Sequence, residues 1–372
     1  MTDSIATTPL TSWHRAAGAT MSPFAGFDMP IHYGSIVTEH NACRNAATLF
    51  DVSHMGRIRF DGDRSAELLD RLLTRRVSDL APGGIRYSLM CNEEGGILDD
   101  VLVYHIEKPS GGRFHMLVVN ASNRQKIIEW LTPRMAEYPD VICTDRTELT
   151  SMIALQGPLA MATVEGLFKH PADKLGYYHS YVTEQFNKPV IVSRTGYTGE
   201  DGLELITRAD EAARIWENLM LAGRKHGIQA AGLGCRDTLR LEAGMPLYGH
   251  ELSESIDPIS AGLGFACNFK DRTFIGSEAL AKIKAAPPQS VRVGIRVEGV
   301  RPAREGCQIL DANEQNIGAI TSGTVSPTLQ YPIAMGYVAA EHSQIGSPLT
   351  IDIRGKRAAA TVAALPFYKR NR

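Results

Sequence analysis

A chain of 372 residues with 39 basic and 41 acidic side chains carries a formal charge of −2, and 44% of it is hydrophobic against 22% charged. That balance belongs to a folded globular protein and excludes a disordered chain, while the missing basic excess argues against a general nucleic-acid binder. At roughly 150 residues per domain, the length predicts two or three domains. The cysteines (Cys43, Cys91, Cys143, Cys235, Cys267, Cys307) are scattered, without a C-x-x-C pair or zinc-like spacing, which fits a reducing compartment and no structural metal. The opening MTDSIATTPLTSW has neither the basic nor the apolar region of a secretory signal, and no apolar run reaches the roughly 18 residues of a membrane span. The expectation is a cytoplasmic protein with no membrane and no nucleic-acid partner.

In chain order, a strand is predicted over 56–60, followed by a helix over 65–80 that places Ala66, Leu69, Leu72, Leu73, Val77 and Leu80 on one face. Asn92, Glu93 and Glu94 before Gly95 and Gly96 read as a hairpin turn feeding a strand over 101–106, with another over 114–119. Ser122 to Gln125 has the form of a capping box, opening a helix with Ile127, Ile128 and Leu131 that Pro133 interrupts. Strands over 152–155, 190–193 and 203–206 precede a helix from Asp210, as N-cap, through Ile215, Trp216 and Leu219 to Gly227. Helices do not follow strands in βαβ rhythm, so the class is α+β. The domain boundary falls at 282–290, around Pro287 and Pro288. Beyond it, strand signals over 291–297, 308–310, 317–321, 334–338, 349–353 and 358–364 alternate with turn residues, the signature of a small all-β barrel or sandwich.

No P-loop, no G-x-G-x-x-G opening a helix, no G-x-S-x-G and no H-E-x-x-H occurs, which points away from nucleotide hydrolysis, dinucleotide redox chemistry and metal-dependent hydrolysis. In GYTGEDG at 196–202, acids follow the glycines and would repel phosphate. Asp51 to His54 holds ligand-type residues, but adjacent side chains do not readily form a dyad, and the segment reads as structural. In the strand after Gly96, alternation puts Leu98, Asp100, Leu102 and Tyr104 on one face and Ile97, Asp99, Val101 and Val103 on the other. Either both acids cap the turn, or one carboxylate lines a pocket beside Leu102 and Tyr104. Glu204, between Leu203 and Leu205, is either a solvent-facing residue or a carboxylate that pairs bidentately with the N–H edge of a heterocycle. Arg236 and Arg240, at i and i+4, are surface ion pairs with Asp237 and Glu242 or clamps for a carboxylate.

FAGFDMP at 24–30, FDVSHMG at 50–56, GGILDD at 95–100, SRTGYTGEDG at 193–202 and AGLGCRD at 231–237 occur in order. Together they closely resemble the glycine cleavage system T proteins, tetrahydrofolate-dependent aminomethyltransferases, and the likeness runs from about Trp13 to Tyr368. The resemblance implies three domains around a central folate channel. Residues 1–285 would form two interleaved α+β subdomains, about 50–140 making much of the second, and 286–372 the C-terminal β barrel. It implies transfer of a one-carbon unit from the aminomethyl-lipoyl arm of H protein to tetrahydrofolate, releasing ammonia and giving 5,10-methylenetetrahydrofolate. Its partners are then lipoylated H protein and, functionally, the P and L proteins; tetrahydrofolate is the co-substrate, and no metal is needed. By position, Asp100 matches the catalytic acid near N10 of the folate and Glu204 a pterin-binding residue. Arg236 matches a further ligand-binding position, for which the glutamyl carboxylate is a physically reasonable target. Met55, Tyr87, Leu102, Tyr104, Asn120 and Tyr197 are pocket lining by the same resemblance, with Tyr368 joining from the C-terminus. Sulfonium demethylases and the folate domains of sarcosine and dimethylglycine dehydrogenases share this fold, and a folate-binding iron–sulfur assembly factor is the non-enzymatic alternative. The joint presence of Asp100, Glu204 and Arg236 favours the enzyme.

Overall fold

A computed structural model describes residues 5–185 and 187–370. The chain divides into two compact units, one built from the segment up to Asp70 with Arg76–Ser88 and Val101–Arg236, the other from Arg71–Arg75, Leu89–Asp100 and the chain from Asp237 onward.

In the first unit a six-stranded sheet has the order Ser180–Gln185, Lys188–Ser193, Gly202–Arg208, Thr150–Gln156, Thr48–Asp51, Gln229–Ala230. Neighbours are antiparallel except the last pair, which is parallel. Helix Ala212–Ala222 buries Ala212, Ile215, Trp216 and Leu219, the i, i+3, i+4, i+7 stripe, in a core with Leu49, Ile153, Leu155, Val190, Leu203 and Leu205. Each large apolar side chain buried there contributes about 1.5–3 kcal/mol. Leu203 and Leu205 belong to this core, so strand alternation turns Glu204 to the opposite face. The short turn Gly223–His226 then ends at Gly227, whose φ of 71° suits the residue without a Cβ. Asp210 does not cap this helix: its carboxylate pairs with Arg208, and the helix starts from the 3₁₀ turn Ala209–Glu211.

A second sheet has the order Ile85–Cys91, Ile97–Glu107, Arg113–Val119, Gly56–Asp61, Ile142–Asp145. The predicted hairpin forms, and Asn92 caps its turn, its Oδ1 accepting from Gly96 N at 2.7 Å. The helix expected over 65–80 stops at Leu72. The Asp70 carboxylate accepts the backbone N–H groups of Val77 and Ser78 and folds the chain back, a side-chain interaction that periodicity does not reveal. Leu69, Leu72, Leu73, Val77 and Leu80 are nonetheless all buried, so the apolar spacing reported burial rather than helix length. Ser122 makes no cap bond either: a 3₁₀ turn, Ala121–Asn123, leads into helix Arg124–Leu131, which ends just before Pro133.

The second unit carries a closed barrel of six strands in the order Ser290–Val297, Pro332–Ala339, Asn316–Val325, Gln308–Leu310, Pro348–Ile353, Lys356–Ala363, the last pairing with the first. Every pair is antiparallel. All six predicted C-terminal strands are present, and alternate residues fill the interior: Val293, Ile295 and Val297 from one strand, Leu349 and Ile351 from another, Ala360 and Val362 from a third. Closure leaves no free sheet edge. Arg240 makes the expected ion pair with Asp237, its Nε 2.8 Å from Oδ1, but at 2% exposure it is not a surface charge. Nη1 lies 2.7 Å from Glu251 Oε2 and Nη2 2.7 Å from Ser322 Oγ, while Thr321 Oγ1 donates to Glu251 Oε1 at 2.6 Å. Glu242 accepts from Ser326 Oγ and from Thr328 Oγ1. Among the described residues, no helix is long and apolar enough to cross a membrane.

Candidate functional site

Away from its helix-covered face, the six-stranded sheet of the first unit gathers buried polar groups. Glu204 is 5% exposed, not solvent-facing, because both faces of strand Gly202–Arg208 are covered. Its Oε2 accepts from Thr195 Oγ1 at 2.5 Å, while Oε1 has no hydrogen-bond donor among the described residues. Burial raises the Glu204 carboxyl above its ordinary range, opposed by the Thr195 hydroxyl and the Arg236 charge. The hydroxyl of Tyr104 lies 3.5 Å from Ser193 Oγ, and burial together with the Glu204 charge pushes that phenol upward. The Arg236 guanidinium stands 4.6 Å over the Tyr197 ring, and its Nη1 is buried without a partner. Burial lowers the Arg236 guanidinium, while Glu204 and Tyr197 work the other way.

The glycine-rich loop that carries Tyr197 is held by Gln156, whose Oε1 accepts from Thr198 Oγ1 at 2.9 Å and whose Nε2 donates to Thr195 O at 3.0 Å. A Cβ on Gly196 would fall 1.9 Å from Gln156 Oε1, so the position admits no side chain. The acids of this loop are neutralised locally: Glu200 by Arg44 at 2.9 Å and Asp201 by Arg194 at 2.5 Å.

The segment from Asp51 to Met55 reaches the same region. Asp51 is pinned by Thr8 Oγ1 at 2.5 Å and His14 Nε2 at 3.0 Å, and Arg57, fully buried, donates to the carbonyl oxygens of Ser53, Met55 and Thr147. His54, 2% exposed, lies against Phe24 and Phe27 at ring distances of 5.6 and 6.5 Å, with its Nδ1 buried and unpartnered. Burial pulls its imidazolium down to about 4; Asp51 opposes this, and the charges of Arg236 and Arg57 reinforce it. The ring is neutral at pH 7.

Of the residues proposed from sequence, the first unit therefore links Tyr104 to Glu204, Glu204 to Arg236 and Arg236 to Tyr197. Met55 is half-buried in the loop clamped by Arg57, Tyr87 half-buried on its strand, and Asn120 half-buried just before the turn Ala121–Asn123. In strand Ile97–Glu107, Ile97, Asp99, Val101 and Val103 are 0–1% exposed. On the other face Asp100 and Leu102 are partly accessible, but Leu98 at 5% and Tyr104 at 0% are buried, so that face is open only around Asp100 and Leu102. Asp100 is assigned to the second compact unit, as is Tyr368, whose backbone N–H donates to Glu242 O at 2.8 Å.

Two family models match the chain: the GCVT N-terminal domain over residues 10–271 and the glycine cleavage T-protein C-terminal barrel domain over residues 291–369. An aminomethyltransferase of Saccharopolyspora erythraea is 43% identical over 365 residues, covering 98% of both chains, and one of Streptomyces coelicolor is 44% identical over 370 residues, again 98% of both. The crystal structure of glycine cleavage system aminomethyltransferase T from Bartonella henselae superimposes with a TM-score of 0.91 at 34% identity, covering 98% of this chain and 99% of that one. The chain belongs to the glycine cleavage T-protein family of aminomethyltransferases.

For this aminomethyltransferase, sequence reasoning named Glu204 and Arg236 as candidates, read the Asp51–His54 segment as structural and gave no role to Thr195, Ser193 or Arg57, which the structure places in the same polar region. Thr195 and Ser193 lie within the SRTGYTGEDG motif, and Ser193 pairs in register with Glu204. His54 had a weaker signal: it directly precedes Met55.

Proposed function

We propose that this aminomethyltransferase transfers the one-carbon unit from the aminomethyl-lipoyl arm of H protein to tetrahydrofolate, releasing ammonia, forming 5,10-methylenetetrahydrofolate and leaving the arm as its dihydrolipoyl dithiol. The observation that carries this reading is the incomplete polar cluster of a family member: a buried Glu204 with one oxygen undonated, beside a buried Arg236 nitrogen without an acceptor. A carboxylate stripped of water and raised toward neutrality gains most from two adjacent N–H donors, which the 2-amino and N3 edge of a pterin offers. The residues present thus fit a folate.

Tetrahydrofolate supplies the nucleophilic nitrogens when bound. The chain's own part is to bind, orient and exclude water. Glu204 and Arg236 hold the ring, with Tyr197, Tyr87, Met55, Leu102 and Asn120 as further wall; Tyr104 and Tyr368 are assigned by the family resemblance alone. Asp100, half-buried on its strand, is the acid assigned to orient N10 and to balance the positive charge that develops during transfer. Exclusion of water protects the reactive one-carbon unit from hydrolysis. The reading assigns the reaction to the cytoplasm, in functional association with the P and L proteins. Its test is to mix the chain with aminomethyl-loaded H protein and tetrahydrofolate, scoring methylenetetrahydrofolate and ammonia. Formation of both only when folate is present is the expected result; their absence with correctly loaded H protein would overturn the proposal.

A further inference from the structure

We propose that His54 is a ligand-binding residue of this site, donating its Nδ1–H, alongside the Nη1–H of Arg236, to the carbonyl oxygen of the bound heterocycle. The inference rests on the folate reading above and deepens it by assigning the second recognition edge. Buried polar atoms in folded proteins are nearly always paired. Here two orphaned atoms, His54 Nδ1 and Arg236 Nη1, belong to side chains close enough for the arginine charge to act on the imidazole.

The surroundings of His54 explain why its contribution is a neutral one. Phe24 and Phe27 present apolar rings to it, Asp51 lies on its own segment, and Arg57 and Arg236 are the cations within reach. Burial keeps the ring uncharged, so it carries one N–H and places no second cation beside Arg236. The recognition chemistry then divides cleanly. Glu204 is an acceptor and suits the amino and ring N–H groups of a 2-amino-4-oxo-pyrimidine. Its 4-oxo oxygen needs donors, and His54 with Arg236 supplies two. A 2,4-diamino ring, with an amino group in place of that oxygen, would meet donors with donors.

Two measurements decide the matter. The first is calorimetric affinity of the wild-type chain, His54→Phe and His54→Gln for tetrahydrofolate and for its 4-amino-4-deoxy analogue, with melting temperature recorded for each. His54→Phe should weaken tetrahydrofolate binding about ten-fold and leave the analogue within about two-fold, because only the oxo ligand loses a hydrogen bond. His54→Gln, which retains an N–H, should recover part of the loss. The second needs no substitution: in protein labelled with ¹⁵N-histidine, the Nδ1 resonance of His54 should shift on saturation with tetrahydrofolate but not with the analogue. Equal losses for the two ligands, no loss for either, or an unmoved resonance in the saturated protein would overturn the proposal. A wild-type chain that binds no tetrahydrofolate would overturn the functional reading itself, and this inference with it.

Discussion

Replacing Glu204 by Gln keeps the shape of the side chain but puts one N–H where the ligand also presents donors. The exchange of a charged hydrogen bond for a mismatch costs about 1.5–3 kcal/mol, or roughly ten- to hundred-fold in tetrahydrofolate affinity by calorimetry. An unchanged dissociation constant would remove Glu204 from the site. Asp99 and Asp100 form the sharper comparison, because consecutive strand residues face opposite ways. Asp99 is 0% exposed on an apolar face, whereas Asp100 shares the partly accessible face of Leu102. Asp100→Asn should lower turnover by about a hundred-fold or more while folate affinity changes little. Asp99→Asn should instead lower stability by about 1–3 kcal/mol, the range for a disturbed buried hydrogen bond. Measured side by side, loss of activity in Asp99→Asn with retention in Asp100→Asn would reverse the assignment.

Strand Arg113–Val119 shows how an element couples stability to pH. His115 stacks on His105 with ring centroids 4.5 Å apart, its Nδ1 lies 2.9 Å from Ser65 Oγ, and its Nε2 is buried without a partner. Burial, then the neighbouring His105, pulls its imidazolium from 6.5 down to about 4, with Asp70 opposing. His54 is displaced over the same interval. Both histidines are neutral when folded, so the unfolded chain binds protons first as pH falls below 6.5, and folding loses stability down to about pH 4. Each displacement corresponds to about 3 kcal/mol. Glu204 and Glu39, both raised by burial, act in the opposite direction, since protonation relieves their desolvation. Comparing denaturant unfolding of the wild type and His115→Phe between pH 7 and 4 cancels those shared contributions. The variant should show the shallower decline, and identical slopes would refute the role given to His115.

At the scale of the whole molecule, the barrel reads as an integral part of its compact unit. Arg240, Glu242 and Glu251 precede the barrel strands in sequence, yet Thr321, Ser322, Ser326 and Thr328 provide much of their hydrogen bonding. Truncation after Ala285 would remove those partners. Breaking a buried charged network costs about 3–5 kcal/mol, against a total stability of roughly 5–15 kcal/mol for a typical protein. The truncated chain should be insoluble or lack a cooperative thermal transition. A soluble product that melts cooperatively would show that the barrel is dispensable for folding.

The elements most legible in the sequence were those whose apolar period matched their burial: the six barrel strands, and the stripe of helix Ala212–Ala222. The family was legible too, because five motifs occur in order along the chain. Periodicity could not locate helix ends set by distant or local side-chain bonds, as the Asp70 turn at Val77 demonstrates. Nor could it choose between the two environments open to Glu204, since alternation fixes only that Glu204 and its leucine neighbours face opposite ways. Whether water or protein covers the other face depends on what the rest of the chain packs there. The orphaned nitrogens of Arg236 and His54 are likewise properties of three-dimensional surroundings. A side chain's type states what it can bond to, and only tertiary packing decides which of those bonds the protein itself leaves unmade.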